Sequence, residues 1–224
     1  MGRTNFTFDE LKNLIHTIPD EQLPGHTTSS VFSEFSNRNK RQFFGSTADY
    51  HPENIQEAGV VLLIHEKRNI PYLTFIKRSV SPQDTKHSGQ IAFPGGKKEI
   101  GETLRECAFR ELEEEIGIQI PGDYNPKRLS PFYVFVSNFM IHPFICLQRD
   151  IGQYKLDTIE VDSIIEAPLT GLDTYYKIYK SDMYVRNNHL LQVPHYQLGQ
   201  HQLWGATAMI FTELLYIIQN HSDE

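Results

Sequence analysis

The sequence reads GKKEIGE at residues 96–102 and RELEEEIGI at residues 110–118, and these two stretches are the most informative about the fold of the chain. Strong helix formers fill residues 104–116, and Gly117 directly after them supplies a natural C-terminal stop. The pattern therefore predicts a helix over residues 104–116 that is preceded by a glycine-bearing loop.

Three glutamates of the predicted helix share one face. At about 100° per residue, Glu115 lies about 40° from Glu111 on one side, and Glu114 lies about 60° away on the other. Like charges this close repel one another, so a cation between them would stabilise the helix. Carboxylate oxygens are hard ligands and favour Mg²⁺, Mn²⁺ or Ca²⁺. Gly95 and Gly96 would let the backbone approach such an ion, or a phosphate group, closely.

The complete spacing is more specific than the glutamates alone, which also suit a solvent-exposed acidic helix. Gly96 is followed by five residues, Glu102, seven residues and Arg110, and the run then continues with the glutamates, a glycine and Ile118. This run resembles the signature of the Nudix hydrolases, which cut a nucleoside diphosphate linked to another group. The resemblance implies an α/β fold, specifically an α/β/α sandwich around a mixed sheet, and Mg²⁺ or Mn²⁺ as the cofactor.

The resemblance also implies roles for individual residues. The implied metal ligands are Glu111, Glu114, Glu115 and the carbonyl oxygen of Gly95. Arg110 is implied to orient the acidic cluster through a charge-assisted hydrogen bond. Glu102 is implied to brace the loop or to bind an additional ion.

A general base must also be assigned, because a water bound to the metal has to lose a proton. Glu111 is the first choice for this role. The alternatives come from a later loop that contains Asp157, Glu160 and Asp162, and Glu160 leads among them. Simple surface acids remain a competing interpretation of these three residues.

A second stretch indicates the substrate. Residues 86–96 read KHSGQIAFPGG, and Lys77-Arg78-Ser79 lies shortly before them. Together with segments at 136–144 and 201–208, they are similar to the coenzyme A pyrophosphatase subgroup, which cuts coenzyme A into 3′,5′-ADP and 4′-phosphopantetheine. Coenzyme A carries a 3′-phosphate besides its pyrophosphate, so nearby basic residues are candidate substrate-binding groups. These candidates are Lys77, Arg78, Lys86 and His87.

Two alternative functions stay open at this point. The same signature serves Nudix hydrolases of ADP-ribose, dinucleotides or nucleoside triphosphates, so only the substrate segments discriminate among them. A binding module that uses the fold without catalysis is the second alternative, although such proteins usually lose the glutamates that this chain keeps. The net charge of -7 argues against broad nucleic-acid binding, which needs a basic surface. A small nucleotide is therefore the expected partner.

Short apolar runs elsewhere predict the strands of the sheet. The predicted strands are 58–64, 72–76, 90–93, 132–136, 141–147, 176–185 and 189–193. Residues 158–165 are ambiguous between helix and strand. A long terminal helix is predicted over residues 204–219.

The N-terminal region differs from the rest of the chain. Apolar residues recur at helical spacing from Phe8 to Ile15, so residues 1–50 are predicted to form an N-terminal helical arm. This arm would pack on the Nudix hydrolase domain of residues 51–224, or would pair two subunits in a homodimer. The N-terminus shows no export signal, and the sequence contains no apolar run of about 18 residues. A cytoplasmic protein without membrane contact is expected.

Overall fold

The computed structural model describes residues 5–19, 23–25, 31–35, 54–80, 88–185 and 189–220. Within these ranges the chain forms an eight-stranded mixed sheet with helices on both faces, and a separate three-stranded sheet. This arrangement confirms the predicted α/β fold. None of the helices in the described ranges reaches the length and apolarity that a bilayer crossing needs.

The elements are numbered in chain order. The helices are α1 (Phe8–Thr17), α2 (Leu104–Ile116), α3 (Leu172–Tyr175) and α4 (Gly205–Asn220), with a further helical segment at 31–35. The larger sheet contains β1 (Gln56–Lys67), β2 (Ile70–Arg78), β3 (Ile91–Ala92), β4 (Gly95–Lys97), β5 (Lys127–Arg128), β6 (Phe132–Val134), β7 (Phe139–Gln148) and β8 (Val161–Pro168). The smaller sheet contains β9 (Ile178–Val185), β10 (His189–Leu198) and β11 (His201–Trp204). Each predicted strand thus has a counterpart, and the ambiguous segment is the strand β8.

Strand β1 lies at the centre of the larger sheet. It pairs antiparallel with β2 and parallel with β7. Its N-terminal half also pairs antiparallel with β4, which places Gly59 opposite Gly96. The glycine-bearing segment after residue 94 is therefore a short strand attached to the centre of the sheet.

Alternate residues of β1 serve opposite faces of the sheet, as the two-residue period of a strand requires. Leu62 and Ile64 belong to a core that includes residues of α1 and α4. Val61 and Leu63 belong to a second core that includes residues of α2. The sheet is therefore the middle layer of the predicted α/β/α sandwich.

Helix α1 is part of the first of these cores. Thr7 and Glu10 form a capping box that starts the helix, and Phe8, Leu11 and Ile15 are buried. The described part of the predicted N-terminal arm thus packs on the main domain. The boundary between residues 50 and 51 stays a prediction, since it falls outside the described residues.

The C-terminal region differs from the prediction. Trp204 is not the first residue of the terminal helix but the last residue of β11, and α4 begins at Gly205. Gly205 has a φ of +64°, a left-handed conformation that lets the chain turn from strand to helix. The four residues of β11 are too few to show a clear alternating pattern, so this strand was not predicted.

Candidate active site

Helix α2 carries the glutamates, and both of its ends are capped. Thr103 accepts a hydrogen bond from the N–H of Glu106, and the Glu106 carboxylate accepts one from the N–H of Thr103. This capping box satisfies backbone groups that the first helical turn leaves open. At the other end, Gly117 has a φ of +72° and donates its N–H to the carbonyl oxygen of Glu113. The helix therefore has the bounds that its sequence predicts.

Glycines bring β1 and β4 against this helix. A Cβ atom on Gly59 would lie 2.5 Å from the carbonyl oxygen of Leu104, and one on Gly96 would lie 2.5 Å from Oε1 of Glu111. Gly95 has a φ of +148°, and a Cβ atom there would overlap the carbonyl oxygen of Gly59. A larger residue at position 59 or 96 would crowd α2, and one at position 95 would crowd β1, so these glycines let the glutamates reach β4.

Glu115 is the buried member of the acidic cluster, with 2% of its side chain exposed. Its Oε2 atom accepts the N–H of Gly95 at 2.9 Å. Its Oε1 atom lies 3.5 Å from Nη1 of Arg78 and has no hydrogen-bond partner among the described residues. Burial raises the pKa of Glu115 to about 8, against the opposing effects of the Gly95 N–H and Arg78. A bound cation would stabilise such a carboxylate.

Arg110 connects the remaining acidic side chains. Its Nε and Nη2 atoms donate to the two oxygens of Glu102 at 3.1 and 2.9 Å. Its Nη1 atom donates to Glu111 at 2.9 Å and to Glu114 at 2.8 Å. The forked contact lowers the pKa of Glu102 to about 2, and Glu102 also accepts the N–H of Glu99, which holds the loop before the helix. Arg110 thus lies at the centre of the cluster that it was predicted to orient.

Glu111 belongs to the cluster, and Glu160, the leading alternative base, lies in a loop attached to α2. Burial raises the pKa of Glu111, Arg110 opposes this rise, and the negative charge of Glu160 adds to it. The charge of Glu160 raises the pKa of Glu115 as well, so this exposed glutamate is within electrostatic reach of the cluster. Its loop is attached to α2, because the N–H of Asp157 donates to the carbonyl oxygen of Glu115 at 3.0 Å. Which of the two acts as the base stays a prediction.

The acidic cluster fits a hard divalent cation by its chemistry. Its side chains offer carboxylate oxygens, the ligands that Mg²⁺ and Mn²⁺ prefer, and a buried oxygen of Glu115 lacks a hydrogen bond from the described residues. Across the described ranges, no three acidic, histidine or cysteine side chains converge as in a preformed metal cage. Arg110 contacts one oxygen of Glu111 and one oxygen of Glu114, and it partly neutralises both carboxylates. The Gly95 carbonyl oxygen stays a predicted ligand.

The four predicted substrate-binding residues have different surroundings. Arg78 ends β2 beside Glu115, with 27% of its side chain exposed. Lys77 forms an ion pair with Asp162 on β8, with 2.8 Å between Nζ and Oδ2, so phosphate binding there would have to replace this partner. Lys86 and His87 lie outside the described residues. Arg78 therefore has the position that suits the predicted role best.

A wide cleft opens beside β4, with a volume of about 1590 Å³. Gly95, Gly96 and Arg78 line it where it meets the acidic cluster. Ordinary small-molecule sites measure roughly 300–1,000 Å³, so the cleft has room for a long substrate. Its apolar lining includes Phe32, Phe93, Phe132, Trp204, Met209 and Ile210. The site thus combines a charged end with an apolar wall.

The segments at 86–96, 136–144 and 201–208, which indicated the substrate, all contribute residues to the cleft, whereas other parts of its lining were not predicted from the sequence. Lys97 lines it directly after the two glycines, a position that was visible in the motif but was not assigned a role. Phe32, Phe132 and Ile210 come from distant segments, and no spacing in the sequence links them. Only a folded chain brings these side chains to one cleft.

Comparison with known proteins agrees with this site. The NUDIX domain model matches residues 54–167, which include β4 and α2. The peroxisomal coenzyme A diphosphatase ndx-8 of Caenorhabditis elegans is 30% identical over 161 residues, which cover 69% of this chain and 65% of ndx-8. The match thus spans slightly less than two thirds of that relative. The uncharacterized Nudix hydrolase NudL of Klebsiella pneumoniae is 31% identical over 166 residues, which cover 73% of this chain and 83% of NudL.

A solved structure shows the same fold. The MutT/nudix family protein from Enterococcus faecalis superposes with a TM-score of 0.50 at 15% identity, over 81% of this chain and 71% of that protein. At this identity the likeness concerns the fold alone. The domain match and the NudL relative carry the family assignment, and this chain belongs to the Nudix hydrolase family of pyrophosphatases.

Proposed function

We propose that this Nudix hydrolase cuts the pyrophosphate bond of coenzyme A or one of its derivatives, giving 3′,5′-ADP and 4′-phosphopantetheine or its acylated form. The observation that carries the proposal is the position of Gly95 and Gly96, which line the cleft and also contact the acidic cluster. A pyrophosphate at these glycines lies beside the glutamates, while the rest of a long substrate extends along the cleft. The similarity to ndx-8, which is named a coenzyme A diphosphatase, supports this choice of substrate.

The proposed cofactor is Mg²⁺ or Mn²⁺. The residues proposed to hold it are Glu111, Glu114, Glu115 and the Gly95 carbonyl oxygen. When bound, such a cation neutralises phosphate charge and lowers the pKa of a water. Arg110 keeps the carboxylates together through its fork on Glu102. Glu111 is the proposed general base, and Glu160 is the alternative.

Two cations at the boundary of the cleft are proposed to contact substrate phosphates. Arg78 and Lys97 both line the cleft, and Lys97 is exposed and directly follows Gly96. Arginine suits this role because its planar fork matches two phosphate oxygens at once. Lys77, Lys86 and His87 remain candidates for the 3′-phosphate.

The cytoplasm remains the proposed location, although the relative ndx-8 is named peroxisomal. A small-molecule nucleotide is the proposed partner, without nucleic acid or membrane. ADP-ribose or another nucleoside diphosphate derivative is the alternative substrate, and a non-catalytic binding module is the alternative of a different class.

Product analysis separates these functions. The purified protein is incubated with coenzyme A, ADP-ribose or a diadenosine polyphosphate in Mg²⁺ or Mn²⁺, and the products are separated by chromatography. We expect 3′,5′-ADP from coenzyme A, its loss in the Glu114→Gln variant and its persistence in the matched Glu113→Gln control. Hydrolysis of ADP-ribose or the dinucleotide alone would still support catalysis by the glutamates, but it would overturn the coenzyme A assignment. No hydrolysis of any substrate with either ion would favour the binding module.

A further inference from the structure

Strand β9 forms one edge of the smaller sheet. Its inner edge pairs with β10, and no strand in the described part of the chain pairs with its outer edge. An unpaired edge presents N–H and C=O groups that another strand can bind. At eight residues, β9 is longer than the usual strand of about 5–6 residues, so it offers a substantial surface for pairing.

The side chains at this edge include exposed apolar groups. Tyr179 is 50% exposed and Tyr184 is 75% exposed. Leu190, directly across the hairpin from Tyr184, is 55% exposed, and Ile178 is 37% exposed. Exposed apolar groups on both faces beside an open strand edge are compatible with a surface that binds another protein chain.

The order of the charges on β9 is self-complementary in an antiparallel pair, which favours a second copy of this chain as the partner. The strand reads IYKSDMYV at residues 178–185. In an antiparallel pairing of two copies centred on Ser181, Lys180 lies opposite Asp182 of the partner subunit. The two-fold symmetry repeats this contact, so Asp182 lies opposite Lys180 of the partner subunit. Opposite charges in directly opposed cross-strand positions attract.

The flanking residues also match in this register. Tyr179 lies opposite Met183 of the partner subunit, and Ile178 lies opposite Tyr184 of the partner subunit. Aromatic and aliphatic residues in such positions stabilise a strand pair by contact across the ladder. All three opposed pairs on each side of Ser181 are therefore compatible.

Charged residues on edge strands commonly prevent two strand edges from pairing, rather than favouring it. A charge prevents pairing when it must be desolvated against an apolar residue or must face a like charge. In the register centred on Ser181, the lysine and the aspartate neutralise each other instead. The pattern thus favours this one antiparallel register.

We propose that two copies of this chain associate through antiparallel pairing of their β9 strands about Ser181. The pairing joins the two smaller sheets across a two-fold axis, as in an isologous dimer interface. Met183 and Tyr184 also line the cleft, so the partner subunit borders the cleft of each copy.

Charge reversal in the full-length chain tests this interface. The Lys180→Asp and Asp182→Lys variants each place like charges opposite each other at two symmetric positions. Sedimentation equilibrium is expected to show a dimer for the wild type and a dissociation constant raised about 30-fold in each single variant. The double variant, Lys180→Asp with Asp182→Lys, restores the opposite charges and is expected to recover dimer formation. Lys12→Asp on the exposed face of α1 is the control for the change in net charge.

Three results would overturn the proposal. The first is a wild-type chain that stays monomeric at its highest soluble concentration. The second is a dimer whose dissociation constant is the same in both single variants, because association then uses another surface. The third is a double variant that is folded by circular dichroism yet stays as dissociated as the single variants.

Discussion

The acidic cluster and the cleft meet at Gly95 and Gly96, but they are built in different ways. The cluster takes most of its side chains from one loop and one helix within residues 95–118, and Arg110 joins them by hydrogen bonds of 2.8–3.1 Å. The cleft takes its walls from segments as distant as Phe32 and Ile210. The groups for chemistry are therefore encoded within one short stretch of sequence, whereas the walls of the cleft also depend on the assembled fold. Changes in the acidic cluster should therefore lower kcat, whereas changes in the apolar wall of the cleft should raise KM.

The largest effect is expected at the cluster, in the Glu111→Gln variant. Removing this carboxylate takes away the proposed general base and one proposed cation ligand, so kcat for coenzyme A should fall about 10³-fold. Glu113→Gln is the matched control on the same helix, because Glu113 contacts Gln119 and not the cluster. Steady-state kinetics at saturating metal measure both variants. Equal activity of the two variants would show that the cluster is not where the chemistry occurs.

The next effect is expected for Arg110→Lys. Lysine cannot reproduce the fork that holds both oxygens of Glu102 while contacting Glu111 and Glu114, so kcat should fall about 10²-fold. Arg105→Lys is the control, since Nη1 of Arg105 donates to the backbone carbonyl oxygen of Tyr124 rather than to a glutamate of the cluster. Full activity of the Arg110→Lys variant would contradict the claim that the forked contact organises the cluster.

A smaller effect is expected where the sheet supports the cluster. In the Gly59→Ala variant the new Cβ atom would crowd the carbonyl oxygen of Leu104, so α2 must shift. The free energy of unfolding should fall by about 1–3 kcal/mol, as measured by chemical denaturation. Gly122→Ala is the control, because a Cβ atom there meets nothing within 4 Å. Equal stability of the two variants would show that the close approach of β1 and α2 is not needed.

The smallest effect is expected in the cleft, from Trp204→Leu. This change reduces apolar contact with the substrate and leaves the acidic cluster intact, so KM for coenzyme A should rise about tenfold with little change in kcat. Tyr216→Leu on the exposed side of α4 is the control for loss of an aromatic ring. A fall in kcat at constant KM would contradict the claim that the cleft binds the substrate while the acidic cluster carries out the chemistry.

The sequence predicted the local features of the molecule well. The bounds of α2 agree with the prediction because helix formers fill it, Thr103 caps its start and Gly117 ends it. Strand β1 was recognised because burial on both faces requires a continuous apolar run. The glutamates share one face because a helix has a fixed period, which makes their relative positions calculable from spacing.

The features that were not predicted depend on contacts between distant residues. Lys77 was expected to bind phosphate, but its ion pair with Asp162 arises from the pairing of β2 with β8. The need for glycine at position 59 comes from its contact with Leu104, which is visible only once β1 and α2 are packed. The same holds for Trp204, whose place in β11 is set by pairing with β10 and not by a local pattern.

Substrate selection by the cleft is tested by the ratio of kcat/KM for coenzyme A to that for ADP-ribose, measured with one preparation and one divalent ion. The joint placement of the cluster and the wide cleft predicts a ratio of at least about 10, because only the longer substrate uses the apolar wall. A ratio of one or less would contradict the claim that this cleft selects coenzyme A.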